Sequence, residues 1–164
     1  MVRKTLTHFI CLTALFSSAN LANEKESSRL VELFKHNLDS NDNAFLQKLL
    51  AVVCSEDVIK SGEFNSSILM TLRALSALLQ DLIEKSSEDL VQYQNKLNDL
   101  GATQLIFRLI SMTNSNIVHE VLSFGIAILH GGNKQVQTEI LNTFKTNPNC
   151  DLFVEIRNRY EPNG

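Results

Sequence analysis

The sequence has no tryptophan, two prolines, six glycines and three cysteines in 164 residues. So few breakers and turn formers leave little room for the many tight turns of a sandwich or barrel. Cys11, Cys54 and Cys150 are far apart, which excludes a C-x-x-C pair and any zinc-finger spacing. Cys54 follows an aliphatic run with nothing basic beside it and reads as a small buried hydrophobe. There is no cationic excess: the formal net charge is −3, which removes the electrostatic basis for nucleic-acid binding. What is present is apolar material, 44% of the chain, enough to build a core and to argue against disorder.

That apolar material recurs at helical spacing. Residues 24–38 place Leu30, Val31, Leu33, Phe34 and Leu38 on one face, with Ser27 or Ser28 as caps. Residues 39–43 read as a turn, and 44–55 as a short, mostly buried helix entered through Asp42 or Asn43. After a break at 61–65, residues 66–86 form the longest periodic element. Its stripe of Ile68, Leu72, Leu75, Leu79 and Leu82 is widened by Leu69, Ala74, Leu78 and Ile83, so it is expected between neighbours rather than on a surface. Residues 87–101 begin polar, with Ser87-Glu88-Asp89-Leu90 suited to a helix start. Further helices are expected over 102–113, 116–130, 134–146 and 150–160, separated by Gly101 and by the short polar joints 114–116, 131–133 and 147–149. No strand alternation persists anywhere. Short helices with short joints in series predict an all-α chain, either an armadillo- or HEAT-like solenoid of short antiparallel helices or an irregular bundle, without a clean internal period.

Residues 1–22 admit two readings. A basic start, an apolar run over 5–16 and small residues at 17–22 follow the grammar of a secretory signal. Leu6, Phe9, Ile10, Leu12, Thr13 and Phe16 also fit the face of a core helix. The run is too short to span a bilayer. The chain divides into this segment, a helical domain over 23–160 and a tail over 161–164.

No catalytic constellation emerges. His130, Gly131, Gly132, Asn133 and Lys134 stand together, yet a Walker loop needs more glycines after a strand, and an α/β-hydrolase needs a nucleophile elbow. The simpler account is a joint. His130 lies in the last turn of one helix, where positive charge suits the dipole. Gly131 takes a left-handed C′ position, and Asn133 caps the next helix. His8, His36 and His119 have no second ligand at metal spacing. Glu84, Glu88 and Asp89 gather near a loop without forming an acid–base pair. Asp39, Asn41 and Asn43 have some calcium-loop spacing but lack its glycine and its closing glutamate. Arg3, Lys4, Arg29, Lys35, Lys48 and Lys60 are scattered. Asn65-Ser66-Ser67 is a single glycosylation sequon. No cofactor, metal or enzymatic activity is expected.

Residues 100–141, LGATQLIFRLISMTNSNIVHEVLSFGIAILHGGNKQVQTEIL, resemble the regulatory region of inositol trisphosphate receptors. Ryanodine receptors, with related homology regions, are the nearest alternative. The matching positions are Gly101-Ala102, Ile126-Ala127-Ile128-Leu129, Gly131-Gly132-Asn133 and Val136-Gln137. Residues 49–54 and 61–64, followed by a leucine-rich helix, look similar to the preceding family segment. His130 stands where the family often has Glu, and the joint before Gly101 is shorter than in many relatives. The resemblance implies a non-catalytic α-solenoid on the cytosolic face of the endoplasmic reticulum, within a tetrameric calcium-release channel. Its partners would be other channel domains or subunits. It also implies a fragment, truncated product or stand-alone copy, with residues 5–22 as another core helix. The alternative is a small secreted helical protein that binds other proteins. The seam between helices is expected to use Leu105, Leu109, Leu122, Ile126, Leu129 and Val136.

Overall fold

A computed structural model describes residues 24–40 and 43–146, together with Val154 and Arg157. The described residues are all-α, without strands. The bounded helices are α1 (Glu24–Asp39), α2 (Ala44–Val53), α3 (Glu56–Ser61), α4 (Asn65–Glu84), α5 (Leu90–Asp99), α6 (Ala102–Leu109), α7 (Ser115–Leu129) and α8 (Lys134–Thr146). Expected element and observed element agree within a few residues, except that α3 was not anticipated and the 102–113 helix stops at Leu109. Six residues with two adjacent apolar ones, Val58 and Ile59, give no readable period. The expected helix over 150–160 lies outside the described residues except at Val154 and Arg157, which are both helical. The expectations for residues 1–22, with Cys11 and His8, and for Asn41, Asp42 and Cys150, also lie outside them.

Helix α4 is the axis of the fold. It packs most extensively against α7 and then against α1, with α5 touching it as well. The expected stripe of Ile68, Leu72, Leu75, Leu79 and Leu82 is buried, with Ala74 and Leu78. Among the described residues α4 alone has the length and composition to cross a membrane. Its leucine stripe is covered by other helices of the same chain, as in the core of a globular protein. Helix α1 contributes Leu30, Phe34 and Leu38 to the same core, α6 contributes Ala102, Leu105 and Leu109, and α7 contributes Ile117, Val121, Phe124 and Ile128. Between α4 and α7 the Arg73 Nε donates to Glu120 Oε1 at 3.1 Å. Arg73 is half exposed, so this pair adds little to stability.

The helix ends correct two expectations and bear out another. Helix α1 already runs from Glu24, so Ser27 and Ser28 lie inside it rather than at its cap. Asn43 precedes α2, but its backbone is not in the extended conformation of a capping residue and its side chain makes no cap bond. His36, in the last turn of α1, is exposed, and that helix end is held by other groups, described below. Gly62, at φ +67°, ends α3 in the left-handed conformation. Asn114 caps α7 in the expected manner: Asn114 Oδ1 accepts from the backbone N–H of Asn116 at 3.1 Å and of Ile117 at 3.3 Å. Asn114→Ala is expected to cost about 1 kcal/mol, read as a lowered urea midpoint with an unchanged m-value.

Candidate functional site

The expected family positions form one structural unit, the joint between α7 and α8. Helix α7 ends at Leu129, and His130 follows in an extended conformation, φ −56° and ψ 138°. His130 therefore stands one residue beyond the helix rather than in its last turn, and it is exposed. Gly131 and Gly132 both take positive φ, +76° and +74°. Gly132 N–H donates to Leu129 O at 3.0 Å, closing the turn. A Cβ on Gly131 would meet nothing within 4 Å, so the glycine is required by backbone conformation alone. Gly131→Val is accordingly expected to cost about 1–3 kcal/mol, read as a lower melting temperature with unchanged helical circular dichroism at 20 °C. An unchanged melting temperature would refute the assigned turn.

Asn133 is buried and caps α8 as anticipated, its Oδ1 accepting from Val136 N–H at 3.1 Å. Its Nδ2 donates to Gln94 Oε1 at 3.1 Å and to Asn95 Oδ1 at 2.8 Å. Gln94 is 0% exposed, and its Nε2 donates in turn to Ala127 O at 3.1 Å and His130 O at 3.0 Å. A side chain from α5 thus bonds both His130 O and Ala127 O, the latter also accepting from His130 N–H at 3.3 Å where α7 ends. Val136, expected in the seam, is fully buried; Gln137 is exposed. Gly101, at φ +100°, precedes α6, and Ala102 is buried at its first position.

Ile126 is a correction to the expected seam: it is 73% exposed. The buried face of α7 carries Val121, Phe124 and Ile128. Ile126 lies two residues from each of the last two, about 200° around a helix, and so points away. Leu105 and Leu109 are buried as expected, while Leu122 and Leu129 are partly buried.

Sequence reasoning anticipated α5 as a helix but missed what its side chains hold. In the stretch Tyr93-Gln94-Asn95-Lys96-Leu97-Asn98-Asp99, six residues bond to groups outside the helix. Tyr93 OH donates to Asp39 Oδ1, and Lys96 Nζ donates to Leu38 O, so both hold the end of α1. Asn98 Oδ1 accepts from Thr103 Oγ1 at 2.5 Å, and Asp99 Oδ1 accepts from Gln135 Nε2 at 2.6 Å. Burial, and then the Asp39 carboxylate, hold the Tyr93 phenol above its ordinary range. One signal was available. A helix with so few aliphatic residues cannot be ordered by apolar burial, so its polar groups need fixed partners.

The buried polar groups of the joint serve to hold it together. Its buried side chains are carboxamides, neither acid nor base near neutral pH, and their donors are occupied. Glu84, Glu88 and Asp89 are all exposed, as is His119. Among the described residues no group of three or more His, Cys, Asp or Glu is placed to hold a metal ion. Cys54 is partly buried, and burial pushes its thiol up to about 11, opposed weakly by Arg108. At pH 8 its alkylation is expected to run roughly 100-fold slower than that of a free peptide thiol, which peptide-resolved mass spectrometry measures. Comparable rates would contradict the burial. No protein-family model matches the chain, and no solved structure matches it.

Proposed function

We propose that this chain is a non-catalytic regulatory or scaffolding module that works through protein–protein contact. In this reading its helices form an armadillo- or HEAT-like α-solenoid similar to the cytosolic modulatory region of an inositol trisphosphate-gated calcium-release channel. The observation that carries the reading is the coincidence of motif and architecture. The residues that resemble that family, Gly101-Ala102 and Gly131-Gly132-Asn133 with Val136, are those that set the entry to α6 and the α7–α8 joint. Their polar groups are engaged in holding helices together, which suits a scaffold. Its partners would be other domains or subunits of such a channel at the reticulum surface, with the chain a fragment or truncated copy of it.

The signal-like grammar of residues 1–22 favours a second reading, a small secreted helical protein that binds other proteins. The mature amino terminus in the native cell, with its compartment, separates the two. A cytosolic or reticulum-associated protein retaining residues 5–22 is expected. A secreted protein beginning near Asn20 or Asn23 would overturn the channel reading.

A further inference from the structure

We propose that α5 couples the end of α1 to the α7–α8 joint, so that the two open and close together. The observation is the placement of its bonds. Tyr93 and Lys96, three residues apart and therefore on one side of the helix, hold Asp39 and Leu38 at the end of α1. Gln94 and Asn95 hold the joint, and Asp99 holds the first turn of α8 through Gln135. These hydrogen bonds run from the end of α1 to α5 and from α5 to the joint.

The physical basis is the marginal nature of this helix. It has ten residues, below the roughly 12–15 needed for an isolated helix to persist in water. Its aliphatic residues are Leu90, Val91 and Leu97, and Val91 is 55% exposed. The helical state of α5 therefore depends on partners at both sides. Loss of one set weakens the helix, and a weakened helix no longer presents the other set. That is an order–disorder element biased from two places, the minimal requirement for coupling between them. The inference rests on hydrogen-bond geometry and stands whether or not the channel reading holds.

The test is amide hydrogen exchange on the full chain, comparing wild type with Gln94→Leu, which removes bonds on the joint side alone. Exchange at residues 37–40 is expected to rise at least tenfold, where Ser40 N–H is normally bonded to His36 O, while residues 30–34 of the same helix keep their wild-type rates. The control is Ile117→Val, near the opposite end of α7, brought to the same melting temperature with urea. It is expected to leave residues 37–40 at wild-type rates. Faster exchange at 37–40 in both proteins, or in neither, overturns the proposal. If Gln94→Leu does not fold, Tyr93→Phe reads the coupling in reverse: exchange at residues 131–137 should rise several-fold, and unchanged rates there overturn it.

Discussion

Gln94→Leu is expected to destabilise the protein by about 2–4 kcal/mol, a fall in melting temperature of roughly 5–15 °C in calorimetry. The substitution keeps the size and removes the bonding. It leaves Ala127 O and His130 O without the amide that serves both, and leaves one Asn133 N–H without its acceptor. All three groups lie at a side chain that is 0% exposed, so water does not replace the lost partner without opening the joint. Ala127 O keeps the N–H of His130, and leucine recovers part of the loss through apolar burial, so the cost stays near that of two orphaned groups. Gln94→Glu discriminates between shape and bonding. It retains an acceptor for Asn133 but turns an acceptor toward two carbonyls, and it is expected to be no better tolerated than leucine near neutral pH. A melting temperature within 1–2 °C of wild type for Gln94→Leu would mean the joint is not held from α5.

Phe124→Ala carries the other large effect, about 3–5 kcal/mol in urea unfolding. Phe124 is fully buried and is among the largest side chains in the core. It sits on α7, the helix that packs most extensively against the axial α4. Truncation removes apolar burial and leaves a cavity among Leu, Ile and Val neighbours that backbone helices cannot close over. The contrasting substitution is Ile126→Ala on the same helix. Ile126 is 73% exposed, so its loss is expected to cost within about 0.5 kcal/mol. Equal effects at 124 and 126 would mean that the face of α7 has been assigned wrongly.

These two substitutions mark what the sequence disclosed and what it withheld. The stripe of α4 was legible because leucines recurring at three and four residues can share only one side of a helix. The Gly131-Gly132-Asn133 joint was legible because left-handed backbone and an asparagine cap have few alternative residues. Gln94 was not legible. A glutamine in a polar helix looks solvated, and its burial is decided by an element 33 residues away, where it meets Ala127 O. Ile126 was misplaced for a related reason. In the run Ile126-Ala127-Ile128-Leu129 apolar character continues around the helix, and periodicity alone does not say which residue faces out. Helix α3 was missed because six residues with two adjacent apolar ones show no period. Asn43 shows the reverse case: a residue type suited to capping stands at the right place, but its backbone is not in the capping conformation.

The central claim is that this polypeptide acts by binding other protein domains of a calcium-release channel. It is tested most directly by capturing the native polypeptide from its own cells after mild lysine cross-linking and sequencing what is joined to it. Lys134 beside the joint and Lys145 at the far end of α8, both exposed, offer attachment points. The account predicts cross-links to the cytosolic helical domains of an inositol trisphosphate-receptor-like channel, either in a neighbouring subunit or within one longer polypeptide. Cross-links confined to secretory or extracellular proteins, with no channel peptides recovered, would contradict it.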